Sequence, residues 1–407
     1  MEKIVVRSAG AARLRRGHPW VFSNEVRGRV AALEPGGIVE VEDGHGACLG
    51  TAYVNPRSLI LGRMLAFARA PIDRAFFKTR ILRALALRER LFPGGDAYRL
   101  VFGEGDGLPG LVVDRYGDVL VVQAATLGID RRLEEIADVL EETLRPRAIV
   151  ERSDLSVRAL EGLEPRKGVL RGSLAEPVSV EEGGVRFELD LLTGQKTGFY
   201  YDHRENRSAF ARLASGSAGV LDVFCYLGAW GLRAARAGAG PVTLVDGSAD
   251  ALALARRNAE RNGLAERCEF IEGDAFEALA RLEREGRRFD AVVLDPPAFV
   301  KSRKRIAEGV RGYRDLNARA ARLVRDGGLL ATSSCSYHLG WDLFEGMLAD
   351  AVGRARRRAT VLHRGGQGPD HPVPLLLPEA AYLKCLILRL DDAGSASRAP
   401  AREEEEA

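Results

Sequence analysis

Cysteine is scarce in this chain, five among 407 residues. Cys48, Cys225, Cys268, Cys335 and Cys385 are odd in number, widely scattered and never in C-x-x-C spacing. That argues against a disulfide framework and a structural zinc site, and no metal is expected. Long hydrophobic runs are missing as well. No apolar stretch approaches the length that spans a bilayer, and the start, "MEKIVVRSAG", lacks a signal-peptide core. These absences point to a reduced, cytoplasmic protein with no membrane partner. A strong net charge is absent too, the formal value being +3.

That value hides local asymmetry, because the tail "REEEEA" contributes four of the negative charges. Basic residues cluster at Arg13, Arg15 and Arg16; at Arg256, Arg257 and Arg261; at Lys301, Arg303, Lys304 and Arg305; and at Arg354, Arg356, Arg357 and Arg358. Such blocks suit a polyanion such as RNA, and they equally decorate solvated helix faces.

The length exceeds one ordinary domain. Residues 1–70 read as short strands with Gly, Asn and Pro punctuation, which fits a small β-barrel. Residues 71–185 mix amphipathic helix with strand and suggest a small α+β unit. Within it, Gly105, Gly107 and Gly110 match G-x-G-x-x-G, but the following "LVVDRYGDVLVVQ" is strand-like. A dinucleotide fingerprint must run into a helix, so this is read as a hairpin loop. From 186 to 392 strands and helices alternate, which predicts a doubly wound, mainly parallel α/β sheet. Residues 393–407 are polar, low in complexity and expected to be disordered.

Ligands of such sheets bind beyond the carboxyl ends of the strands. Four of these ends carry an acid. "LDVFCYLGAWG" offers Asp222 and a turn through Phe224, Tyr226 and Gly228; "VTLVDGS" offers Asp246, "IEGDAF" Asp274 and "VVLDPPAF" Asp295. An acid at Asp246 suits the two hydroxyls of a ribose, and one at Asp274 an adenine edge. The ordered set points to a nucleoside cofactor without phosphates, and S-adenosylmethionine fits. Cys335, in "ATSSCSYHL", closes a later strand and should open onto the same crevice as Asp295. Buried packing is the usual fate of a lone cysteine. Beside a methyl donor, however, a thiolate can add to carbon 6 of a pyrimidine and make carbon 5 nucleophilic. Ser333, Ser334 and Ser336 are candidates to hydrogen-bond that thiol, and Asp295 to bind the base. In "LLTGQKTGFYYDHRENR", Gln195, Lys196 and Arg204 are candidates to line the cofactor or RNA cleft. Lys301 to Arg305 are candidates for phosphate contacts.

The stretches "TGQKTGFYYDHRENR", "VLDVFCYLGAWG", "VVLDPPAFVKSRK", "YRDLN", "LLATSSCS" and "PDHPV" together resemble the RlmI-like family of bacterial 23S ribosomal RNA methyltransferases that make 5-methylcytosine. The resemblance covers nearly the whole chain. It implies an N-terminal PUA-like RNA-binding barrel carrying "RRGHPWVFSNEV", a middle domain, and a Rossmann-like class I methyltransferase domain. It further implies that Asp222 to Gly228, Asp246, Asp274 and Asp295 bind S-adenosylmethionine or the target base, with Cys335 as nucleophile. Two departures stand out. Pro297-Ala298 replaces the cysteine that broader RNA cytosine-5 enzymes often carry after the motif-IV proline, so the base for the carbon-5 proton is unassigned. "CYLGAW" replaces a more usual Ser-Tyr-Thr-Gly, leaving backbone contacts open at Cys225 and Leu227. Two other readings stay open: methylation of a guanine nitrogen, and a non-catalytic RNA-binding assembly factor. The sequence neither requires nor excludes a homodimer.

Overall fold

The runs "VLDV", "VTLVD" and "AVVL" are rich in β-branched residues and carry no helical period. Each forms a strand buried almost throughout, as a sheet covered on both faces demands. The structure is a computed structural model and describes residues 1–28, 30–174, 177–194, 197–300 and 302–394. Gln195, Lys196, Lys301 and the tail from 395 therefore lie outside the described residues. The chain divides into two units. Met1–Glu181, Phe187–Arg204 and Gln367–Ala381 form one; Glu182–Arg186, Glu205–Gly366 and the segment from Tyr382 form the other.

The second unit carries seven strands: β1 (Val220–Val223), β2 (Val242–Asp246), β3 (Cys268–Glu272), β4 (Phe289–Leu294), β5 (Val324–Ser334), β6 (Arg357–Gly365) and β7 (Lys384–Asp392). Their order is β3-β2-β1-β4-β5-β7-β6. Neighbours run parallel except β7, which is antiparallel to both β5 and β6. Between them come helices α1 (Ala229–Arg236), α2 (Ala249–Arg261), α3 (Ala275–Arg284), α4 (Ile306–Leu323) and α5 (Trp341–Arg354). Leu221, Val292 and Leu330 of the sheet share one core with Leu279, Leu316 and Phe344 of the helices. The strand order reverses beside β1, so the carboxyl ends of β1, β2 and β4 surround the switch point where ligands of this fold class sit.

The first unit begins with a six-stranded sheet of short strands between Glu2 and Ala66. A helix, Ser8–Arg15, lies where only strands and turns were expected. "SAGAARLR" is rich in good helix formers, and burying Ala11 and Leu14 supplies the packing that a short helix needs. The next region is a five-stranded sheet between Ala97 and Gly172, with helices Arg74–Leu91 and Leu133–Leu144. Ala97–Phe102 and Leu111–Tyr116 pair antiparallel around Gly105, Gly107 and Gly110, so the glycine motif does lie in a hairpin connection. "PDHPV", expected within the residue 186–392 domain, belongs to this first unit. There the buried guanidinium of Arg88 binds both oxygens of Asp106, at 2.5 and 2.8 Å, and the Asp370 carbonyl at 2.8 Å.

Candidate active site

The turn that leaves β1 is held by its main chain. Phe224 (φ 64°), Tyr226 (φ 49°) and Gly228 (φ 78°) all adopt the left-handed region. For the two aromatic residues this costs about 1–2 kcal/mol each, so the surroundings must enforce it. They do so through hydrogen bonds. The N–H groups of Phe224 and Cys225 donate to Val245 O, at 2.9 and 3.1 Å, and Gly228 N–H closes onto Cys225 O at 2.7 Å. Tyr226 N–H donates to Asp246 Oδ2 at 2.9 Å. Cys225 and Leu227 point into the core, while Phe224 and Tyr226 stay half-exposed. Departures from the usual family residues at Cys225 and Leu227 thus fall on packing positions.

Each acid at a strand end has a structural task as well. Asp222 is fully buried beneath the turn, and its Oδ2 accepts Gly231 N–H at 2.9 Å. Its Oδ1 has no hydrogen-bond partner. Burial, helped by the charges of Asp295 and Asp246, pushes its carboxyl up to about 7 against the pull of that N–H. Asp222 therefore supports the turn from below. Asp246 is half-exposed and also accepts Ser248 N–H, at 3.0 Å. Asp274 is exposed and caps α3, Oδ1 accepting from Phe276 N–H and Glu277 N–H. Carboxylate oxygens carry more lone pairs than these bonds use, so Asp246 and Asp274 remain able to accept from hydroxyl and amino groups. The turn Phe224–Gly228 contains no lysine or arginine to balance a phosphate. This donor set fits the nucleoside part of S-adenosylmethionine.

Asp295 ties the other side of the crevice together. β4 and β5 pair with Leu294 opposite Thr332, so Asp295 comes opposite Ser333, two residues before Cys335. Ser333 Oγ donates to Asp295 Oδ1, and Trp230 Nε1–H of α1 donates to Oδ2 at 3.2 Å. Cys335 follows β5 directly and is half-buried. Its neighbouring serines, expected to hydrogen-bond the thiol, bond to other groups. Besides Ser333 on Asp295, Ser334 Oγ donates to the Tyr313 hydroxyl at 3.0 Å, and Ser336 Oγ lies 2.9 Å from the same hydroxyl. Ser336 Oγ also accepts Val300 N–H at 3.2 Å. The hydroxyls lock the loop that carries the cysteine. Of the other cysteines, burial pushes the Cys225 and Cys385 thiols well up and Cys268 to about 11, and Cys48 lies in the first unit.

Several expected contacts are engaged elsewhere. Arg13 donates to Glu25 at 2.6 Å and to Trp20 O at 3.0 Å, and stacks on Phe22. Arg15 is exposed and pairs with Asp43, and Arg16 is exposed. Arg204, expected at a cleft, donates to Ala97 O and stacks over Phe92 and Tyr201 within the first unit. Arg303, Lys304 and Arg305 form an exposed turn before α4. Sequence reasoning missed Trp230, Tyr313 and Lys384. Trp230 and Tyr313 lay inside motifs already singled out, "LGAWG" and "YRDLN"; Lys384 interrupts the otherwise apolar "YLKCLIL". No helix among the described residues is long and apolar enough to cross a membrane, and none of their His, Cys, Asp and Glu side chains cluster as a metal site.

Comparison with known proteins agrees with this geometry. Residues 4–67 match a PUA-like domain, and residues 164–389 match an S-adenosylmethionine-dependent methyltransferase. The chain is 42% identical over 384 residues, 93% of its length and 96% of the relative's, to a ribosomal RNA large subunit methyltransferase I of Shewanella denitrificans. It is 40% identical over 381 residues, with the same coverage, to the enzyme so named from Pseudoalteromonas atlantica. Among solved structures, a methyltransferase complexed with SAH superposes with TM-score 0.83 at 22% identity, covering 96% of this chain and 100% of the other. A likeness at that identity speaks for the fold.

Proposed function

Because this chain belongs to the ribosomal RNA large subunit methyltransferase I family, we propose that it methylates carbon 5 of a cytidine in large-subunit ribosomal RNA through a covalent adduct on Cys335. Methylation of ribosomal RNA with S-adenosylmethionine follows from the family; the atom and the adduct are the finer reading. One observation carries it. A half-buried thiol follows β5 directly, and Ser333, two residues before it, binds the carboxylate at the end of β4.

Bound S-adenosylmethionine supplies an electrophilic methyl group. The turn Phe224–Gly228, Asp246 and Asp274 would hold it. The Cys335 thiolate forms a bond to carbon 6 of the cytosine, and the carbon 5–carbon 6 electron pair becomes available at carbon 5. Asp295, already fixed by Ser333 and Trp230, accepts from the exocyclic amine and so orients the base for the addition. Carbon 5 takes the methyl group, then loses its proton. That electron pair restores the double bond and expels the thiolate, leaving 5-methylcytosine and one released proton. The target base must leave its stack to reach the thiol, so single-stranded or opened RNA is the expected substrate.

Cys335→Ala should lower turnover at least about a thousandfold while cofactor affinity changes less than about twofold. Nucleoside mass spectrometry on ribosomal RNA from deletion cells, treated with either protein, reads this out. Full methylation by the variant, or a methylated guanine as product, would defeat the reading.

A further inference from the structure

A covalent mechanism needs Cys335 ionised in a half-buried place, and Lys384 is the cation built beside it. β5 and β7 pair so that Ser334 faces Lys384, at the start of β7. The lysine side chain is buried. Its Nζ donates to Ser336 O and to Tyr382 O, each at 2.7 Å. Ser336 is the residue after Cys335, so one of these bonds fixes the thiol's own loop. An ammonium has three N–H donors and these acceptors use two. No carboxylate accepts from Lys384 among the described residues.

A buried ammonium held only by carbonyls is expensive to keep charged. Burial accordingly lowers Lys384 to about 8, and the charge that opposes the fall is Cys335. Such an interaction is mutual: a thiolate that favours the ammonium is favoured by it to the same degree. Other titratable groups near this loop among the described residues include Asp295, Tyr313, Cys385 and His338, none of which is bonded to Lys384. Tyr313 on α4 is pushed up by burial and by Cys335, Cys385 on β7 is pushed up by burial, and the Asp295 carboxyl at the end of β4 accepts from Ser333.

We propose that Lys384 is a positioning residue that holds Cys335 as its thiolate and anchors its loop through the Ser336 carbonyl. The role rests on the covalent reading above but is tested apart from it. Iodoacetamide alkylation of the full chain, followed by peptide-resolved mass spectrometry across pH, reports the ionisation of Cys335 without any turnover. In Lys384→Met the alkylation midpoint of Cys335 should rise by about one to two pH units. Lys384→Arg should restore much of the loss, and Cys48, in the other unit, should not shift. Cofactor binding by calorimetry verifies that each variant is folded, and Lys384→Gln replaces the methionine variant if that one fails. An unchanged Cys335 midpoint in a folded neutral variant overturns the role of the lysine, whereas an active Cys335→Ala overturns the covalent mechanism and leaves the alkylation result standing.

Discussion

The two sides of the crevice are built by different means. The turn after β1 owes its shape to main-chain hydrogen bonds and left-handed dihedrals, with two of its four side chains turned into the core. The ends of β4 and β5 owe theirs to side chains: the Trp230 indole, the Ser333 hydroxyl, and the Tyr313 hydroxyl with Ser334 and Ser336. A cofactor that is the same in every turnover can be met by backbone, which tolerates many sequences. In the mechanism proposed above, chemistry on the base requires particular atoms, a sulfur and a carboxylate, held at fixed places. Side-chain changes should therefore be felt unequally on the two sides.

The largest effect on stability is expected under the turn, at its fully buried acid. Asp222 carries a carboxyl pushed up to about 7 from a usual 3.8, chiefly by burial. A raised acid binds more protons folded than unfolded over that interval. Its contribution to stability is thus complete below about pH 4, is lost as pH rises through about 7, and is flat beyond. Asp222→Asn keeps an oxygen for Gly231 N–H and removes the ionisation. Its stability relative to wild type should rise from pH 4 to 8 by up to about 4 kcal/mol, read by urea unfolding at each pH. A difference that does not change with pH would mean that Asp222 is not the buried acid described.

On the other side the expected loss is smaller and falls on catalysis. Tyr313→Phe removes the hydroxyl shared by Ser334 and Ser336 and should cost about 1–3 kcal/mol of stability. Turnover should fall while cofactor affinity holds, since no bond of Tyr313 reaches the turn. Loss of cofactor affinity in this variant would join the two sides into one network.

The contrast also explains what could be read in advance. Strand–helix alternation, the acids at strand ends and the position of Cys335 are all periodic or terminal features, visible in one dimension. The seven-stranded sheet and the hairpin around Gly105 follow from them. The helix Ser8–Arg15 was not visible, because eight residues gain helical stability only by packing Ala11 and Leu14 on the sheet. The contacts of Arg204 were not visible either, because its partners Phe92 and Ala97 are more than a hundred residues away. Separation along the chain also hid Lys384, whose relation to Cys335 exists only through the pairing of β5 with β7. A lysine inside an apolar strand was nonetheless a signal that something in the core needs its charge.

The smallest effect is the most direct test of the backbone side. Gly228 sits at φ 78°, and a Cβ there would lie 3.1 Å from Leu232 Cγ and Leu244 Cδ2. Alanine tolerates that conformation poorly, so Gly228→Ala should cost about 1 kcal/mol through strain alone. The strain is concentrated in the turn itself, between the Cys225 carbonyl that Gly228 N–H binds and the start of α1. If the main chain of this turn is what the cofactor meets, the variant should lose about fivefold in affinity, the equivalent of that 1 kcal/mol, while every side chain of the cysteine loop stays in place. Calorimetric titration with S-adenosylhomocysteine, set against the thermal midpoint of the free protein, separates the two quantities. Unchanged affinity with a lowered midpoint would show that the left-handed turn serves only its own fold, and that recognition falls to Asp246 and Asp274 instead.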